Sequence, residues 1–591
     1  MTVDPATTTL TFHDARVPVL QAGRYSLVVR QTVSGPHGLA ADTEVGPAST
    51  TTFEVRGPRF RLAPEDVVAR FPAPHAEGHH TRCYAHVEVG RATLPWERSA
   101  VPDADPAVPW LALLVLDAGR VTVADHGAPS GAGTPLPPGT DAVAHPQPAG
   151  DGALDQPTLL VRVRRSLLPA TTEVLRERCH VRGGGSVAEE HAFVVGERPL
   201  EPGDWVAHLV SVEGLYDAGG GLGSGDDVVE LVSLATWGFG TEGLSLEQRI
   251  GDLDRGGLRM PAPAEPAPGT EPVAHGHVAL AHLLRDGGST YSWYRGPLMP
   301  SAVDGVDAPD PRLPARHSDH LLRIDPRTGL LDVSYASAWE LGRLLTLRNE
   351  RVAVALHEWR QAHRRAERGE EERRLARDTE GASFHPALDP HPRWPDVEPA
   401  LPAPVADWLA ALARLEDLPF NHLVPDERML PVEAVRFFHL DRQWVDGLLD
   451  GALSIGRVLA RDAAADERHR NERLADVLSP PARAGFLLRS SIVSEWPGLL
   501  VDALGTDGAP ADVVRVEVLS PDLMLGLFEV PPGRGASLAS VEFHVHPGAL
   551  HLTEPPTDPG GRAGSGAEFA ALRESTGPRI RIETGLAAAA R

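Results

Sequence analysis

The stretch from Leu418 to Arg457, LPFNHLVPDERMLPVEAVRFFHLDRQWVDGLLDGALSIGR, limits the fold of this chain more than any other. Pro419, Pro425 and Pro431 each fix φ and remove a backbone donor, so no continuous helix can run before residue 432. Beyond them Val435, Phe438, Trp444, Val445, Leu448, Leu449 and Leu453 recur at the spacing of one buried helical face. Two starts are open. The helix begins just after Pro431 or, with a break at His439 to Asp441, at Asp441, which then serves as the N-cap of the Trp444 segment. Asp426, Glu427 and Arg428 read as a short polar loop that pairs charges ahead of it.

A chain of 591 residues exceeds one hydrophobic core, which stops growing near ~250–300 residues, so roughly three or four domains are expected. Gly 58 and Pro 55 make up about a fifth of the chain, above the usual ~12%, which favours turn-rich β structure. The net charge of −25 argues against nucleic acid or an anionic membrane surface as main partner. All 56 basic residues are arginine. Without lysine there is no pyridoxal-phosphate Schiff base, no phosphate-binding P-loop lysine and no kinase strand lysine. Cys83 and Cys179 are the only cysteines, so a thiolate zinc cluster and a disulfide framework are both excluded, and a reducing compartment fits. The N-terminus lacks the basic and apolar regions of a secretory signal, and no run of eighteen apolar residues occurs; no membrane span and a cytoplasmic location are expected.

In chain order the expectation is an α+β multidomain protein with an antiparallel β-sandwich-like N-terminal half, a helical middle region and a β-rich C-terminal part. Residues 1–56 form a small β module around RYSLVVRQTV and TTFEV, and 57–240 a β-rich domain. Within it the apolar run Trp110 to Leu116 predicts a strand buried on both faces, and 124–157 a long surface loop. Residues 241–330 are linker and irregular segment; 331–500 are mainly helical. There Ala338, Leu341, Leu345, Val352, Leu356 and Trp359 mark one helical face, followed by a charged run from Ala362 to Asp378 that projects into solvent or meets a partner. A polar helix covers 460–477. Residues 501–591 form a β-rich segment with a flexible tail, in which PRIRIETG adds an edge strand.

Twenty-six histidines invite a search for metal. His544 and His546 with nearby His551, and His275, His277 and His282 in HGHVALAH, are partial imidazole sets that lack a third ligand of definite geometry; surface histidines beside a core stripe are the simpler reading. His79 and His80 sit in a Gly-flanked loop. HEWRQAH, 357–363, spaces its histidines six apart where a zinc-protease helix needs four. GGGLGSGDD provides neither a GxSxG elbow nor GxGxxG. Cys179 and His180 are neighbours on a predicted strand and point to opposite faces. A glycosidase pair such as Asp426 with Glu433 is allowed but unsupported. Glu97 with Arg98, and Glu340 with Arg343, read as buried or half-buried charge pairs at element junctions. No catalytic, cofactor or metal residue is assigned. Trp96, Arg98, Trp293, Arg295, Trp339, Arg428, Trp444 and Trp496 are the expected structural or interface anchors, since rings beside proline or arginine cover turns and stack on guanidinium.

Seven segments together, LPWER (94–98), AHLVSVEG (207–214), WYRGPL (293–298), DVSYASAWELGRLL (332–345), LPFNHLVPDERMLP (418–431), DGALSIGR (450–457) and SEWPGL (494–499), resemble a family of large bacterial proteins. That family is associated with gene clusters for contractile, phage-tail-like injection systems. Glu495 stands where the family pattern has glycine, which argues against a tight turn there. The resemblance implies a non-enzymatic structural, assembly or accessory protein that contacts other protein components of such a particle and is released with it on lysis. A carboxylate-dependent hydrolase of cell-wall or glycan material, carried as cargo, is the alternative. Cofactors are not expected, and the oligomeric state is open.

Overall fold

The computed structural model describes residues 11–33, 43–44, 48–55, 57–102, 104, 108–118, 159–183, 190–223, 228–261, 270–284, 286–300, 313–379, 400–459, 462–467, 483–530, 537–545, 551–554, 564–575 and 577–586. The loop expected at 124–157 and most of the helix expected at 460–477 lie outside them. The chain is a mixed α+β protein with β-rich N-terminal sheets, a helical middle and β-rich C-terminal sheets. It divides into two compact units, both discontinuous in sequence. The first takes Met1–Gly251, Ser494–Leu500 and His544–Arg579; the second takes Asp252–Val493, Val501–Phe543 and Ile580–Arg591. Among the described residues no helix is long and apolar enough to cross a membrane.

The first unit is built on a nine-stranded sheet. Leu111–Asp117 lies in its middle, antiparallel to Asp204–Ser211 and joined to His191–Pro199 by a parallel bridge at Gly196 and Leu113. Its LALLVLD sequence is buried on both faces for most of its length, the behaviour expected of an unbroken apolar run. Tyr84–Val89 is buried throughout, although it carries His86 and Glu88. Glu88 is matched there by His191 on the adjoining strand. Trp96 and Trp110 sit in the core of this unit, and the Trp110 indole donates to the Leu94 carbonyl at 2.7 Å. Gly23–Val29 and Ser49–Val55 pair separately as a two-stranded ribbon.

The second unit holds a six-stranded sheet in which Ala434–Leu440 runs between Asp254–Gly257 and Arg483–Arg489. Helix directly after Pro431 is therefore not what forms. AVRFFHL is buried almost throughout as a strand, and apolar residues on both faces of a strand cannot be told from a helical stripe by spacing alone. The later start is the observed one: Asp441 caps a helix over Arg442–Leu453, its carboxylate accepting the Trp444 N–H at 3.2 Å. Trp444 is fully buried in the core.

The helical face predicted from Ala338 to Trp359 is buried as expected, but on two helices, Ser334–Arg348 and Glu350–Thr379. Asn349 divides them; its backbone N–H closes the first helix on Leu345 and Thr346, and its side-chain oxygen accepts the Val352 N–H of the second. The Ser334 helix crosses the Arg442 helix at unusually close range. A Cβ on Gly342 would collide with the Leu448 carbonyl, and one on Gly451 with the Trp339 carbonyl, so both crossing points require glycine. Arg579–Glu583 ends a three-stranded sheet with Leu499–Gly505 and Leu538–Val545.

Candidate functional site

Both of those helices start at the wall of one cleft in the second unit, with a volume of about 770 Å³. The chain brings its residues there from several elements. The strand Ser289–Tyr294 delivers Trp293 and, one step past its end, Arg295. The short strand Leu331–Asp332, parallel to it, ends on Asp332, and the Ser334 helix opens with Tyr335. The Arg442 helix brings Asp441, Arg442 and Gln443.

Asp441 is the N-cap of its helix, whereas Asp332 stands one residue before the N-cap Val333 and binds the first helical residue, Ser334. Asp332 accepts the Ser334 N–H at 2.9 Å and the Ser334 hydroxyl at 2.5 Å, and its second oxygen lies 3.6 Å from His277 Nε2. Burial pushes its carboxyl upward, but the bonds from His277 and Ser334 outweigh this and hold it below the ordinary carboxylate range. Asp441, besides capping its helix, takes the Arg295 guanidinium and the Tyr335 hydroxyl, the latter at 3.1 Å. Tyr335 is pushed upward by burial and then by the Asp441 charge, so it stays a neutral donor. Arg323 lies 4.0 Å over the Tyr335 ring and donates to Gln443 Oε1 at 3.3 Å.

The imidazoles differ from each other. His277 is engaged at both nitrogens, by the Pro272 carbonyl at 3.1 Å and by Asp332. His275 is not. Its Nδ1 is shielded from solvent and has no hydrogen-bond partner, and the same holds for Arg295 Nε, on a residue only 6% exposed. Burial, then the neighbouring His277 and Arg295 charges, depress the His275 pKa, and all three residues line the cleft.

The remaining predicted residues are scattered. Trp293 is buried, its indole donating to Thr328 Oγ1 at 2.9 Å. Arg98 is buried and donates to the Pro58 carbonyl at 2.9 Å and to Glu213 at 3.3 Å, and Glu97 faces Arg91. Trp339 donates to Asp450 at 2.9 Å, and Arg343 goes to Ser454 and the Trp339 ring. Arg428 pairs in solvent with Asp426, as its loop predicted, whereas Glu433 accepts from Ser490 and Ser491. Those contacts give Asp426 and Glu433 separate structural roles. Trp496 is buried against His80, ring centroids 4.6 Å apart, and Glu495 binds Arg249 through both carboxylate oxygens.

Cys83 and Cys179 are buried thiols; burial pushes Cys83 up to about 12 and Cys179 higher still. His180 stacks on Phe193 at 5.3 Å and does not meet Cys179 in any described bond. His357 is exposed and His363 packs on Trp359. His544 is buried, and His546 lies outside the described residues. Among the described residues no three His, Cys, Asp or Glu side chains are grouped to hold a metal ion.

The cleft residues were not grouped by sequence reasoning, because Asp332 and Asp441 each carry only the signal of a helix cap. His275 and His277 were flagged, but for metal. No protein-family model matches the chain, and neither a curated protein nor a solved structure matches it.

Proposed function

We propose that this chain is a non-enzymatic structural, assembly or accessory protein of a contractile phage-tail-like particle, acting through contacts with other protein components. The observation that supports this most is the use of its acids: in this cleft Asp441 caps one helix and holds Arg295 and Tyr335, while Asp332 binds Ser334 at the start of another and faces His277. The segments that carry the family resemblance are likewise joined to one another, Arg98 to Glu213 and Trp339 to Asp450, as a framework needs. The test is fractionation of the producing cells with the full chain tagged. The chain is expected to sediment with assembled particles and to be cross-linked to their identified tube, sheath or baseplate components; particles that pellet while all of the chain stays in light fractions would refute the proposal.

A second reading, a carboxylate-dependent hydrolase of cell-wall or glycan material, is favoured by the convergence of three aspartates, a glutamate and two histidines on that cleft. Such chemistry needs one carboxyl raised in pKa so that it can donate a proton. Asp332 is displaced the other way.

A further inference from the structure

The cleft has an imbalance that its framework role does not use. It is lined by four arginines and four carboxylates, in a chain where acids outnumber arginines 81 to 56. All four carboxylates are occupied: Glu271 by Arg327, Asp325 by Thr328 and the Arg327 N–H, Asp332 and Asp441 as described. The donors are not all matched. Arg295 Nε lacks an acceptor, and a buried N–H of a cation without one is costly; His275 Nδ1, on a ring held toward its neutral form, is likewise without a partner. The starts of two helices, of 15 and 12 residues, add the positive ends of their dipoles at the same wall.

We propose that this cleft binds a small molecule bearing a carboxylate or phosphate group, with the acidic oxygens seated against the His275 imidazole and the Arg295 guanidinium. The volume suits a ligand of metabolite size. An acceptor-only anion supplies what Arg295 Nε lacks, and its charge favours the protonated His275 ring that burial, His277 and Arg295 otherwise oppose. The inference goes beyond a role in a particle and stands or falls on the purified chain alone.

The test is calorimetric titration of the full chain with inorganic phosphate in one arm and malonate in the other. At least one anion is expected to bind saturably, and whichever does so names the acidic group. His275→Phe is expected to weaken that binding by about tenfold or more, the loss of one hydrogen bond to a charged group, while His357→Phe on the exposed helix surface leaves it unchanged. Because a variant can misfold, ¹⁵N imidazole spectra of the unaltered chain give a second readout, in which the His275 Nδ1 signal moves with the titration. No saturation by either anion, equal binding in His275→Phe, or a His275 signal that stays still would each overturn the proposal.

Discussion

Replacing Asp450 by alanine is expected to cost the second unit about 3–5 kcal/mol, the penalty for leaving a buried cation without its partner. Asp450 is wholly buried on the Arg442 helix and is used at both oxygens. It accepts the Ala315 N–H at 2.9 Å, the Trp339 indole at 2.9 Å, and two nitrogens of Arg457 at 2.8 and 3.2 Å. Arg457 is itself buried and reaches on to Asp466, at 2.7 Å, which also serves Arg360. Removing Asp450 leaves two arginines to share one carboxylate and strands the indole N–H of Trp339 in the core. Burial alone would lower the Arg457 pKa, yet the two aspartates raise it, so the guanidinium stays charged and the vacancy is not relieved by losing a proton. Denaturant unfolding checks this. The exposed Arg428–Asp426 pair is the control: Arg428→Ala is expected to leave the midpoint where it was.

Stability of the first unit is expected to fall steeply as pH drops below about 6.5. His180 is fully buried, with neither ring nitrogen hydrogen-bonded, and burial, then the His86 and Arg182 charges, lower its pKa to about 3 against a small opposing effect of Asp14. Burial lowers His208 to about 4, its Nδ1 facing the Ser233 hydroxyl at 3.1 Å. A depressed histidine pKa means that the fold favours the neutral ring. Above the unfolded value of 6.5 that preference is fully present; below it the unfolded chain takes up protons that the folded chain refuses. From 6.5 down to about 4 both histidines contribute, each costing about 1.4 kcal/mol per pH unit, and from 4 to 3 only His180 continues. Unfolding midpoints followed at pH 7, 6 and 5 by a probe in the nine-stranded sheet measure the slope. His180→Phe, which preserves the stack on Phe193, is expected to remove about half of it. A midpoint unchanged over this range would mean that the imidazoles are hydrated or already charged in the fold.

The fold was legible where one segment carries its own signal. Trp110 to Leu116 needed only its apolar run, and Asp441 only its place before Trp444. The strand Ala434–Leu440 was ambiguous because Val435 and Phe438 satisfy a helical spacing and a doubly buried strand equally well. Asn349 leaves no mark in the sequence pattern, because the apolar face continues across it in phase and the division of the helix opens no gap.

The candidate site was harder to read, since its chemistry is made of partners far apart in sequence. Arg295 meets Asp441 146 residues away, and Trp339 meets Asp450 at 111. Sequence proximity points to Glu97 for Arg98, whereas Glu213, 115 residues away, is a partner that only the fold brings to it. The signal that was present lies in the seven resemblance segments: Arg98 and Glu213, and Trp339 and Asp450, are each drawn from two of them. Gly342 and Gly451, inside otherwise good helices, were a further sign that two backbones touch.

The claim beneath this account is that the acids of the cleft hold the structure together and do not act as reagents. Denaturant unfolding of Asp441→Asn tests it most directly, because asparagine can still cap the helix while the charge facing Arg295 is gone. A loss of about 2–4 kcal/mol is predicted, since Arg295 is then left buried without its counter-ion. A variant as stable as the unaltered chain, or more stable, would contradict the account, for that is how a carboxylate placed for chemistry at the expense of stability behaves.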